Sequence, residues 1–92
     1  MLGPPLDDVV DILRHAFPNG VPEEDTEAVL VVLSEGLSER NLALVVEEFT
    51  GISRYEVGQL TATALNNRRL DRAKVARVEE ALRRKGWDPD ED

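Results

Sequence analysis

Few side chains in this sequence are of the types that carry catalysis. His15 is the only histidine and cysteine is absent, which removes thiol nucleophiles, thiolate zinc sites and disulfides. A Ser-His-Asp triad would have to use His15, and no Gly-x-Ser-x-Gly turn exists to present a serine to it. The glycines follow neither a phosphate-loop nor a dinucleotide spacing. Glu23, Glu24 and Asp25 with Glu27 form a dense carboxylate group, but they lack calcium-loop spacing, and carboxylates that open a helix serve its dipole. No catalytic, cofactor-binding or metal-ligating residue is assigned, and the chain is not expected to be an enzyme. The chemistry left is that of recognition: Arg54, Tyr55 and Gln59 in one group, Arg68, Arg69 and Arg72 in another.

These residues must be held by helices. Leu6, Val9, Val10, Leu13, Ala16 and Phe17 recur at three- and four-residue steps, which predicts a helix over 6–17 that Pro18-Asn19-Gly20 ends. A second helix over 22–35 opens on Pro22, carries its acids in the first turn, and is apolar on most sides through Val29–Leu33. That pattern marks the most buried helix. Gly36 is placed to close it in a left-handed conformation, and Ser38 to cap a third helix over 39–50 with Leu37 and Leu42 as a hydrophobic staple. Gly51 closes that helix, and Ser53 through Glu56 spell a capping box for a fourth over 54–65, whose inner face is read as Val57, Leu60, Ala64 and Leu65. Gly58 inside it predicts a close helix contact. Asp71 caps a fifth helix over 72–85, which Gly86 stops while Trp87 folds back on Leu82. Period-two alternation is absent. The expected architecture is all-α, a compact bundle of five short helices in one domain over 1–92, with a leader at 1–5 and an acidic tail at 88–92.

Charge is unevenly spread. The chain has 11 Lys and Arg against 19 Asp and Glu, a formal net charge of −8. Residues 1–50 hold two basic and eleven acidic residues, a net of −9, whereas 51–87 hold nine basic and four acidic, a net of +5. An overall excess of acid speaks against a general binder of nucleic acid or anionic membrane. No apolar run approaches the roughly 20 residues of a membrane span, no signal peptide is apparent, and the expected setting is cytoplasmic.

The basic half permits one sharper reading. Residues 45–65 resemble a helix-turn-helix with Gly51-Ile52-Ser53 as the turn, and Arg77-Val78, Leu82 and Gly86-Trp87 resemble the end of lactose-repressor-type DNA-binding regions. Arg54, Tyr55 and Gln59 would then face base edges, and Arg68, Arg69 and Arg72 phosphates. Two features oppose it. Glu47 stands four before Gly51, where the motif requires a small residue, and Glu79–Arg83 and Glu80–Arg84 have the spacing of internal ion pairs. Helix punctuation accounts for the same glycines and serines without DNA.

Phe17-Pro18-Asn19-Gly20-Val21-Pro22, Asp25, the Val29–Leu33 run, Leu37-Ser38, Ile52-Ser53, Arg77-Val78, Leu82 and Gly86-Trp87 resemble a small actinobacterial and mycobacterial family, the domain of unknown function thirty-three forty-nine. The resemblance covers roughly Leu6 to Asp88 and departs at Asp25-Thr26-Glu27-Ala28, where an aromatic and a proline would follow the Asp. It implies a five-helix bundle and a monomer and transfers no active site. The expected function is a small non-enzymatic module that binds another protein through the exposed parts of its fourth and fifth helices, with DNA binding as the alternative.

Overall fold

A computed structural model describes Gly3 and residues 6–88; the rest of the expected leader, and tail residues 89–92, lie outside the described residues. Among the described residues the chain forms five α-helices and no strand: α1 (Leu6–Ala16), α2 (Thr26–Ser34), α3 (Glu39–Thr50), α4 (Arg54–Leu65) and α5 (Arg72–Arg84). The principal packing pairs close a ring in the order α1, α3, α4, α2, α5 and back to α1, with α2 also touching α3 across it. The Cα radius of gyration is 11.9 Å, close to the ~12 Å of a compact chain of this length.

The helix ends follow from local chemistry. Ser38 Oγ accepts from the Asn41 N–H at 3.2 Å, Ser53 Oγ from the Glu56 N–H at 3.2 Å, and Asp71 Oδ1 from the Ala73 N–H at 2.9 Å, each satisfying a donor that an α-helix leaves orphaned. Gly51 closes α3 at φ 83°, its N–H bonded to the Glu47 carbonyl at 2.8 Å. At the end of α5, Gly86 lies at φ 108°, the Trp87 N–H reaches the Leu82 carbonyl at 3.0 Å and the Gly86 N–H reaches that of Arg83 at 3.1 Å. This bond pair defines a Schellman motif, and it delivers the Trp87 ring into the core beside the fully buried Leu82.

Four local expectations are corrected. The second helix begins at Thr26 and not at Pro22; Glu23–Asp25 form a 3-10 turn ahead of it, so the three acids precede its first α-helical turn. Gly36 is not left-handed: α2 ends with the Leu33 carbonyl accepting from both Gly36 (3.2 Å) and Leu37 (3.0 Å). On α4 the buried stripe is Val57, Thr61 and Ala64, while Leu60 and Leu65 are exposed. Thr61 belongs inside because its hydroxyl donates to the Val57 carbonyl at 2.8 Å, which leaves a methyl group to pack. Finally, a Cβ placed on Gly58 would meet nothing within 4 Å, so no close contact explains that glycine.

The core is aliphatic. Leu13, Leu30, Leu33, Leu42 and Leu82 are its largest fully buried side chains, with Val10, Val32, Val45 and Val57 between them. As its all-round apolar pattern predicts, α2 is deeply buried: Ala28, Val29, Leu30, Val32 and Leu33 are all inside, and only Val31 among its aliphatic residues is part-exposed. No helix among the described residues is long and apolar enough to cross a membrane.

Candidate functional site

Both α4 and α5 pack on α2, yet they form no principal pairing with one another. The space between them is an open groove of about 410 Å³ whose apolar lining comes from Val31 of α2, Ala64 and Leu65 of α4, Leu70 of the connecting loop, and Val75 and Ala76 of α5. Leu65 is 55% exposed on its wall. Arg68 and Arg72 border the groove where the loop meets α5, and Glu79 stands farther along α5, bonded to Arg83 at 3.3 Å.

The loop that carries these arginines is held in place from the acidic segment near the start of α2. Asn67 Nδ2 donates to Glu27 Oε2 at 2.6 Å, and Asn67 Oδ1 accepts from the Arg69 N–H at 2.9 Å. One α5 turn beyond the loop, Lys74 Nζ lies 3.7 Å from Asp25 Oδ1 and donates to the Glu24 carbonyl at 3.1 Å. The carboxylates of Asp25 and Glu27 therefore anchor the α4–α5 connection. Among the described residues no group of three or more His, Asp or Glu is placed to hold a metal ion. His15 is exposed, with Nδ1 at 2.7 Å from the Asp11 carbonyl one turn back.

The six residues expected to take part in recognition fall into two places. Arg54, Tyr55 and Gln59 lie on the exposed surface of the first turns of α4, with Tyr55 77% exposed. Arg68, Arg69 and Arg72 lie past its other end, with the second half of α4, about 9 Å of helix, between them and Gln59. Only Arg68 and Arg72 line the groove. Arg54 is committed within the molecule: Glu47 Oε2 accepts from its backbone N–H at 2.8 Å while Glu47 Oε1 lies 3.3 Å from its guanidinium. Glu47 thus spans the α3–α4 turn and supplies an anion to the start of α4, where the helix dipole favours one. The expected pairs Glu79–Arg83 (3.3 Å) and Glu80–Arg84 (2.8 Å) are present.

Sequence reasoning missed Val31 and Leu65 as surface residues. Val31 sits in an apolar run and Leu65 on the stripe read as the inner face of α4, both of which suggested burial, and the only hint was an excess of aliphatic positions over what one inward face of α4 can hold. A second apolar pocket, about 290 Å³, lies at the other flank of α4 between Leu13, Val29, Val46, Phe49, Ile52 and Leu60.

No curated protein and no solved structure matches the chain. The model of one family, described as a protein of unknown function (DUF3349), matches residues 5–91. That span takes in all five helices, the anchored loop and the groove, and the chain belongs to this family.

Proposed function

We propose that this protein is a small non-enzymatic interaction module that docks another protein through the exposed parts of α4 and α5. The observation that carries the reading is the groove between them. Leu65 and the part-exposed Val31 present aliphatic surface to water in a groove bordered by Arg68 and Arg72, and apolar surface with a polar rim is the composition of a protein contact. His15 makes a local bond, and Asp25, Glu27 and Lys74 make anchoring ones. For the alternative, DNA read by the 45–65 segment, the structure offers less support. The Glu47 carboxylate lies on the first backbone N–H of α4, at the end of the helix where base contacts would begin, and it pairs with the Arg54 side chain.

Site-specific photo-cross-linking tests the reading. A photoreactive residue at position 65 is expected to form an adduct with a defined protein in cells, and the same group at Asp8, exposed on α1, is not. Ala76→Glu, which places a carboxylate on an exposed groove position compatible with helix, is expected to suppress the adduct. Equal labelling from both positions, or an adduct indifferent to Ala76→Glu, overturns the reading. An adduct removed by nuclease supports DNA instead.

A further inference from the structure

The groove has a charge pattern that specifies its occupant more narrowly. Arg54, Lys74, Arg83 and Arg84 each lie within 4 Å of a carboxylate. Arg68, Arg69 and Arg72 are exposed and have no ion-pair partner among the described residues. Three arginines without such a partner thus stand within five positions, with only the helix-capping Asp71 among them, in a chain of net charge −8. The loop bearing Arg68 and Arg69 is held by Asn67, so the backbone that carries these side chains is placed before anything binds.

We infer that this groove receives an acidic amphipathic segment of a partner protein, an inference that rests on the reading of the molecule as an interaction module. An aliphatic side chain of the partner would lie between Leu65 and Val75, and flanking carboxylates would meet the guanidinium groups of Arg68 and Arg72, which suit planar two-oxygen acceptors.

A nucleic acid fits less well. The groove lining contains no aromatic ring on which a base could stack, and an extended polyanion would also meet the field of the acidic first half of the chain, net −9 over residues 1–50.

The test uses the isotope-labelled full chain and three probes: a synthetic amphipathic helical peptide with leucines on one face flanked by glutamates, the same peptide with lysines for the glutamates, and a short mixed-sequence duplex DNA. The glutamate peptide is expected to shift the amides of Val31, Leu65, Arg68, Leu70, Arg72 and Val75, and the lysine peptide to leave them in place. In Arg68→Glu/Arg72→Glu the glutamate peptide is expected to bind about tenfold more weakly or less. Both arginines are exposed, so the variant retains its fold, which the buried Trp87 reports by its fluorescence. Equal shifts with the lysine peptide, shifts elsewhere, or unchanged binding to the double variant overturn the inference. Stronger, salt-reversed shifts of the same amides by DNA overturn it in favour of nucleic acid. A protein adduct at position 65 together with a silent glutamate titration removes the acidic partner and leaves the interaction reading standing; the absence of both removes both.

Discussion

Gly58→Ala is expected to stabilise the protein by about 1 kcal/mol. Gly58 lies in the interior of α4 with a backbone conformation that any residue adopts, since it is not among the positive-φ glycines. Alanine is favoured over glycine by about 1 kcal/mol at such a position. The opposing term would be steric, but a Cβ at this point meets no atom within 4 Å, so overpacking contributes nothing. In a domain of this size 1 kcal/mol corresponds to a rise in Tm of ~4–8 °C, measured by far-UV circular dichroism on heating and by urea unfolding at constant m. Gly51→Ala is the matched control. Its Cβ would also enter open space, but the backbone sits at φ 83°, and a side chain there costs roughly 1–2 kcal/mol. Two substitutions of identical chemistry in adjoining segments are thus expected to move stability in opposite directions. A neutral or destabilising Gly58→Ala would refute the reasoning, because it would place a neighbouring atom against α4 where the structure has none.

Two further outcomes follow from buried and anchoring groups. Trp87→Ala is expected to cost about 3–5 kcal/mol in urea unfolding, as for other large-to-small core changes. Trp87→Phe is expected to cost a fraction of that, since the buried indole Nε1 makes no hydrogen bond among the described residues; equal costs would show a partner on that nitrogen. Asn67→Ala removes the 2.6 Å bond to Glu27 and the link to the Arg69 N–H, with an expected loss of about 1–2 kcal/mol for partly exposed, charge-assisted bonds. It is also expected to speed amide exchange at Arg69 and Leu70, and unchanged exchange there would dissociate the loop from its acidic anchor.

Much of the architecture was legible along the chain because it rests on interactions within one turn of their origin. Ser38, Ser53 and Asp71 cap the next turn, Gly51 and Gly86 take conformations that side chains resist, and Glu79 and Glu80 pair with arginines four residues on. Sequence spacing encodes such contacts directly. Gly36 shows the boundary of that logic: its position suggested a left-handed close, but the Leu33 carbonyl of α2 found donors at Gly36 and Leu37 without one. The acids at 23–25 likewise preceded α2 instead of opening it, since Pro22 and the 3-10 turn absorb the change of direction.

The face that α4 buries, and with it the candidate site, belongs to the three-dimensional arrangement. Apolar residues surround that helix, so its periodicity does not single out one side; packing against α2 and α3 selects Val57, Thr61 and Ala64 and leaves Leu65 on the groove. Glu47 looked like an obstacle to a helix-turn-helix, yet its two oxygens tie both the backbone and side chain of Arg54 across the turn. The Asn67–Glu27 and Lys74–Asp25 contacts join residues some forty or more positions apart. Local composition shows how each helix begins and ends because caps and glycine conformations are short-range chemistry. Which arginines stay unpaired beside an apolar groove depends on which helices meet around α2, and that is a property of their packing.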